Sequence, residues 1–410
     1  MPKSHRALLG LLAPIAVLGI VAGSFARTSA DSVPGVTSTE ILLGGTHPYS
    51  GPASAYGVIG KGIAAYFAYV NDHGGINGRK ITYKDQDDAY NPAQTVQVVK
   101  GMAEQDHVFA FFNTLGTAPN LAIRQYLNDQ KIPQLFVSTG ATTWGADAAK
   151  YPYTLGFNPD YQAEAIVFGK YIVAHQPNAK IAILYQNDDF GQDYVTGLEK
   201  GLGAKASQVV KKATYEVTDP DVRSQMATLQ GSGADTIVIA ATPKFAIGAM
   251  VALGQLSWKA TTYLSNVSAS QTMMEAATKG GGDVATEGII SDAYTLDPTN
   301  PSLANTAGMK LYRDVMAKYG QGLDPNNAFI LYGVAAAYTM CDALQKAGKD
   351  LTREKLVDAS IHLTEKNPFL WPGVELTTSP SDRFPIRELQ LIRYSKGHWD
   401  PVGSVIDARK

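Results

Sequence analysis

The feature that most constrains this chain is a repeated switch between two hydrophobic periods. "EILLGG" at residues 40–45 reads as a strand, and the apolar spacing of "GKGIAAYFAYVNDHGG" reads as a helix stopped by its glycines. "RKITYKDQDD" is strand-like, and "NPAQTVQVVKGMAEQD" is helical, with Asn91 placed to cap it and Pro92 at its first position. "VFAFFN", "APNLAIRQYLNDQ" and "IPQLFVS" continue as strand, helix and strand. The pattern restarts at "QAEAIVFGKYIVAHQ" and "KIAILYQ" and runs through "DTIVIAA" to "TTYLSN". Strands alternating with helices at this period predict an α/β fold with mostly parallel sheets, built as two Rossmann-like units.

The alternation then breaks. "EGIISDAYTLDPTNPS" gives a strand and a proline-containing loop, and three helical segments follow. "IRELQLIRYSKGHWDPVG" closes the chain as a β-hairpin. Helices returning after the second unit imply that the chain goes back to the first lobe, which makes the crossing strands a hinge of three. The expected division is a first lobe of 31–157 plus 291–372 and a second of 158–290 plus 373–410.

Composition narrows the function. A chain of 410 residues suggests roughly two or three domains. With 45% hydrophobic and 18% charged residues it can bury a large core, and a net charge of -2 gives nothing to follow a nucleic-acid backbone. Residues 1–30 pair a basic start, "MPKSHR", with an apolar run and the small-residue stretch "ARTSA". They read as a secretory leader cut after Ala26 or Ala30, with a retained membrane anchor as the alternative. Three of the 35 basic residues (Lys3, Arg6, Arg27) and no acid lie there, so the remainder has 32 basic against 37 acidic residues, a formal charge of -5. Cys341 is the single cysteine, in a helix-like apolar pattern that marks a buried small hydrophobe rather than a nucleophile, and no lipid-anchor cysteine follows the leader. No segment after the leader is expected to be long and apolar enough to span a bilayer.

The stretches "STEILLGGTHPYSGPASAYGVIGKGIAAYFAYVNDHGGINGRKITYKDQDDAYNPAQTVQVVKGM" and "IPQLFVSTGAT" resemble the type I periplasmic binding proteins of the leucine/isoleucine/valine-binding branch. "GGINGRKI" followed by an acidic strand end and a proline-capped helix carries most of the likeness, which extends over about the whole chain after the leader. The resemblance implies an exported, periplasmic receptor of an ABC importer, monomeric, which traps a small carboxylate ligand between two lobes and docks on permease subunits. The ligand would be a branched-chain or other apolar amino acid, or an aromatic or aliphatic acid. It implies no catalysis and no cofactor or metal.

The resemblance also assigns positions. Tyr56 matches a ligand-side tyrosine. Gly116 falls at a hydroxyl position, where Thr117 beside it could serve. Gly140 would offer a carbonyl and Thr142 a hydroxyl, with Trp144 as stacking surface. In the second lobe Phe190 and Thr242 match aromatic positions. Amino-acid binders of the family place an acid near Asn266 for the ligand's ammonium, but residues 265–270 contain none. Asp160 or Asp188 then serves instead, or the ligand has no ammonium; because residues 265–270 hold no acid, leucine is expected to bind weakly or not at all. A buried ammonium without a counter-charge is costly.

Plainer readings stand beside these. Ser50, Thr117, Thr142 and Asp160 suit helix caps and turns, Tyr56 and Phe190 suit the core, His47 suits a turn or rim, and Asp87–Asp88 suit a solvated turn. Nucleophile elbows, zinc motifs and Walker loops are missing, which disfavours a secreted hydrolase. A sensory receptor of the same fold remains the other alternative.

Overall fold

A computed structural model describes residues 33–408; the leader expected over 1–30 lies outside them. The first run is β1 (Glu40–His47), α1 (Val58–Asp72), β2 (Lys80–Asp87), α2 (Pro92–Glu104), β3 (Ala110–Phe112), α3 (Thr117–Asp129), β4 (Gln134–Val137), α4 (Thr143–Ala146) and β5 (Thr154–Gly156). The second is α5 (Tyr161–His175), β6 (Ile181–Gln186), α6 (Asp189–Leu202), β7 (Val209–Tyr215), α7 (Arg223–Gly231), β8 (Thr236–Ala240), α8 (Pro243–Gln255), β9 (Thr261–Leu264), α9 (Gln271–Gly281) and β10 (Ile290–Ala293). Then come α10 (Ala307–Tyr319), α11 (Ala328–Ala347), α12 (Arg353–Ser360), the short strands β11 (Thr364–Glu365) and β12 (Leu376–Thr377), β13 (Glu388–Ser395), β14 (His398–Pro401) and β15 (Ile406–Asp407).

Two sheets carry the molecule. The first is five-stranded and parallel, in the order β2-β1-β3-β4-β5. The second runs β14-β13-β10-β9-β8-β6-β7, with β15 on β13. It is parallel from β7 to β10 and antiparallel where β13 and β14 join. Every residue of β3 and β8 is buried, because helices cover both faces of a parallel sheet. That two-sided burial is why those strands read as continuous apolar runs.

Local chemistry starts the helices where the sequence suggests. Asn91 accepts from the N–H groups of Ala93 and Gln94 ahead of α2, and Asp160 accepts from Gln162 N–H ahead of α5. After β10 the chain returns to the first lobe, and α11 lies against α1. Two glycines set that approach: a Cβ on Gly62 would come 2.4 Å from the Ile330 carbonyl, and one on Gly333 would come 2.4 Å from that of Ile59. The helix α11 is long and apolar enough to cross a membrane, contrary to expectation, but 78% of its apolar window is buried inside the protein. It is the central helix of the first lobe.

The chain passes between the sheets three times: after β5, after β10, and before β13. The stretch before the last crossing still touches the first lobe. Arg383 donates to the Pro152 carbonyl at 2.9 Å, and the Phe384 ring lies against Gly145. β10 belongs to the second sheet. We therefore propose moving both later boundaries, to a first lobe of 33–157 with 294–386 and a second of 158–293 with 387–408.

Candidate functional site

The loops at the carboxyl ends of the parallel strands enclose a cavity of about 110 Å³. Ligands on open α/β sheets bind outside those strand ends. An all-apolar cavity of about 150 Å³ takes benzene, so this one is on the scale of a small organic molecule. Tyr56, Tyr90, Gly116, Thr117 and Ser138 of the first lobe line it, facing Phe190, Thr242, Asn266, Ser270 and Asp292 of the second. Phe329 and Tyr332 of α11, with Trp371 and Trp399, complete its aromatic wall.

The opening loop after β1 is fixed from below. Asp87 accepts from the Tyr49 and Ser50 N–H groups at 2.9 and 3.2 Å and from the Ser50 hydroxyl at 2.6 Å. Burial works to raise its pKa, but these donors and the Ala89 N–H hold it below the ordinary range. Asp88 is buried against the Thr95 hydroxyl, and burial pushes its carboxyl up. The pair is thus a structural support rather than a solvated turn. His47 is fully buried, not at a rim, with Nδ1 2.9 Å from Asp85 Oδ2, and the Tyr49 hydroxyl donates to the same carboxylate at 2.6 Å.

On that base Tyr56 is placed in a short 3-10 turn, its ring edge-on to Phe329 at 5.1 Å. Its hydroxyl crosses the cleft and donates to the Val267 carbonyl at 2.9 Å. Gly116 has φ +100°, a conformation that favours glycine, and a Cβ there would strike the Tyr90 ring. Thr117 opens α3, and its hydroxyl shares a 2.7 Å hydrogen bond with that of Thr139. Phe190 packs on Tyr161 at 4.8 Å, and the Thr242 N–H donates to the Tyr215 hydroxyl at 2.9 Å.

Gly140, Thr142, Trp144 and Asp160 are absent from the lining. The Gly140 carbonyl accepts from Tyr161 N–H at 2.8 Å, and its α-carbon faces the Pro159 carbonyl. The Thr142 hydroxyl donates to Asp160, while its N–H reaches Asp193 of the second lobe at 2.8 Å. Trp144 is buried beneath the Arg124 guanidinium, 4.5 Å from its ring. Asp160 caps α5, and burial, outweighing the Thr142 and Gln162 donors, pushes its carboxyl up to about 6. Asp188 caps α6 and is also bonded by Gln186, so neither aspartate meets the cavity.

The acids that do bear on the cavity come from elsewhere. Asn266 donates from Nδ2 to Glu164 Oε2 at 2.9 Å and to Asp292 Oδ1 at 3.0 Å. Its N–H adds Glu164 Oε1 at 3.0 Å. Burial first, then their mutual repulsion, raises the pKa of Glu164; burial raises that of Asp292. Asp297 lines the cavity as well, with its carboxylate engaged by the Thr299 N–H and hydroxyl. No Lys, Arg or His lines the cavity among the described residues. The sequence did hold a signal for Asp292 and Glu164: each is a lone acid inside an otherwise apolar strand or helix, "GIISDAY" and "QAEAIVF".

Cys341 is buried in α11 and burial pushes its thiol up, the opposite of an activated nucleophile. Among the described residues no group of three His, Cys, Asp or Glu could hold a metal.

A family model described as periplasmic binding protein matches residues 40–398. The chain belongs to the periplasmic binding protein family. This binding protein is 26% identical over 342 residues to the Leu/Ile/Val-binding protein homolog 1 of Brucella abortus, covering 80% of this chain and 84% of that one. Its fold is similar to the fatty acid ABC transporter substrate-binding protein from Thermomonospora curvata, with a TM-score of 0.76 at 21% identity, covering 92% and 95% of the two chains. It is also similar to a branched chain amino acid ABC transporter from Thermus thermophilus with bound valine, with a TM-score of 0.78 at 18% identity, covering 90% and 97%. The two-lobed α/β binding-protein fold expected from the sequence is the fold observed.

Proposed function

We propose that this protein is the exported solute-binding component of an ABC importer, working as a periplasmic monomer that closes on an α-amino acid with an apolar side chain and presents it to permease subunits. The relatives' names support the transport role. The acid in the cavity supports the choice of ligand. Asp292 lines a space with no cationic side chain, which suits a ligand bringing its own positive charge and disfavours one that is only a carboxylate. The start of α3 at Thr117 offers backbone N–H groups and the positive end of the helix dipole to the ligand's carboxylate, while the Gly116 N–H is held by the Ser138 carbonyl at 3.2 Å. Tyr56, Phe190 and Phe329 supply apolar surface for the side chain. The absence of an acid at 265–270 therefore does not weigh against leucine, because Asp292 stands in its place.

The test is a thermal-shift screen followed by calorimetry with L-leucine, L-valine and L-phenylalanine against 4-methylpentanoate and benzoate. Ligands that bind the native state raise its apparent stability. The amino acids should stabilise the protein and the two simple acids should not. Equal or tighter binding of 4-methylpentanoate than of leucine would reverse the choice of ligand while leaving the transport role in place.

A further inference from the structure

Two carboxyl groups stand together beside the cavity with no cation to answer them. Glu164, in the first turn of α5, and Asp292, on β10, are 0% and 2% exposed. One side-chain amide nitrogen, on Asn266, serves both acids, and its two hydrogens are spent in doing so. Asp292 lines the cavity, and its Oδ2 is buried without any N–H or O–H donor. The two carboxyl groups are within hydrogen-bonding reach of each other.

The surroundings give Glu164 hydrogen bonds from Tyr194 and the Asn266 N–H, but they offer no cation. Tyr194 of α6 faces Glu164, and its hydroxyl also pairs with that of Ser265 at 2.6 Å. Tyr161 of α5, Tyr294 after β10 and Tyr332 of α11 face the same space, and burial keeps all these phenols neutral. From β13, Leu391 stands opposite Asp292. Asp297 is the other acid of the lining and is already held by Thr299. Two buried acids in contact, with no cation, do not both ionise; such a pair keeps one shared proton.

We propose that the Glu164–Asn266–Asp292 cluster is a proton-exchange site, in which the ammonium of an incoming amino acid settles against Asp292 and expels the shared proton. This rests on the reading of the ligand given above. The charges balance. The empty pair with one proton carries -1, and the doubly ionised pair with an ammonium also carries -1. One carboxyl O–H breaks, its proton goes to solvent, and the ammonium keeps all of its own. The cavity thus avoids ever holding two unanswered charges away from water. Capture should then be weakened by acid: affinity rises about tenfold per pH unit wherever the free site holds one proton more than the filled one.

Calorimetry of L-leucine binding to the exported chain, in phosphate and in Tris at the same near-neutral pH, reads the exchange directly. The observed enthalpy should differ between the buffers by about one proton's worth of buffer ionisation. Infrared difference spectra should show a protonated carboxyl band that disappears when leucine is added. Glu164→Gln should still bind leucine but release no proton, since a lone Asp292 is already ionised. Leucine binding with the same enthalpy in both buffers would overturn the exchange and leave the amino-acid reading intact. Binding of 4-methylpentanoate but no amino acid would overturn both. The buffer comparison and the leucine-induced band use the natural protein, so they decide the matter even if Glu164→Gln fails to fold.

Discussion

Two carboxylate sites of this protein, Asp85 in the first lobe and Glu164 with Asp292 in the second, are built differently. In the first lobe, Asp85 is met by the His47 ring nitrogen at 2.9 Å and by the Tyr49 hydroxyl at 2.6 Å. In the second, Glu164 and Asp292 share a single amide, and one Asp292 oxygen has no donor. An acid surrounded by its own donors holds a loop in place. An acid left short of donors at a cavity wall has part of its partnership still to be filled, and a ligand can fill it.

Breaking the second group should have the largest effect on binding. Asp292→Asn removes the charge that answers the ammonium and is expected to cost about 3 kcal/mol, roughly a hundredfold in leucine Kd by calorimetry, with a normal circular-dichroism spectrum. Breaking the first should do the reverse. His47→Ala leaves Asp85 under-partnered and opens a hole beneath the loop, so urea unfolding should show a loss of about 2 kcal/mol with leucine Kd within about twofold of the natural protein. If His47→Ala instead abolished binding, the contrast between a supporting acid and a receiving one would fail.

Smaller changes sharpen the same contrast. Tyr56→Phe deletes the hydroxyl that crosses to Val267, worth about 1 kcal/mol, and should weaken leucine roughly fivefold, mainly by faster release in stopped-flow measurements. The smallest effect concerns pH. Asp160 has a folded pKa of about 6, above its unfolded value, so the native state holds more protons between the two. Stability from this group therefore falls as pH rises from about 4 to about 6. Asp160→Asn should flatten that decline in unfolding curves taken across the interval, an effect on stability that leaves leucine Kd nearly unchanged.

The fold was readable because burial on both faces writes itself into the strands. "VFAFFN" and "DTIVIAA" admit few other structures, and Asn91-Pro92 marks a helix start by side-chain chemistry alone. The cavity was readable where it is made by strand-end loops, as at Tyr56, Thr117, Phe190 and Asn266. It was less so where distant segments meet. A search for the missing acid in the residues around Asn266 cannot find Glu164, 102 positions earlier, or Asp292, 26 later on the neighbouring strand. The loop from Gly140 to Trp144 shows the opposite difficulty. It matches the family's pattern, but here its carbonyl, hydroxyl and ring are engaged by Tyr161, Asp160 and Arg124. Local pattern tells which groups are available, and tertiary partners decide which remain free.

The glycine contact between α1 and α11 has a consequence for how this protein can vary. Gly62 and Gly333 each face a carbonyl of the opposite helix, so even a methyl group at either position wedges the pair apart. Phe329 and Tyr332 ride on the same end of α11 and form part of the cavity wall. Drift at two positions that never meet the solute would thus reshape the space that selects it. Descendants of this sequence are free to retune their specificity through the lining side chains, but only while those two glycines stay fixed.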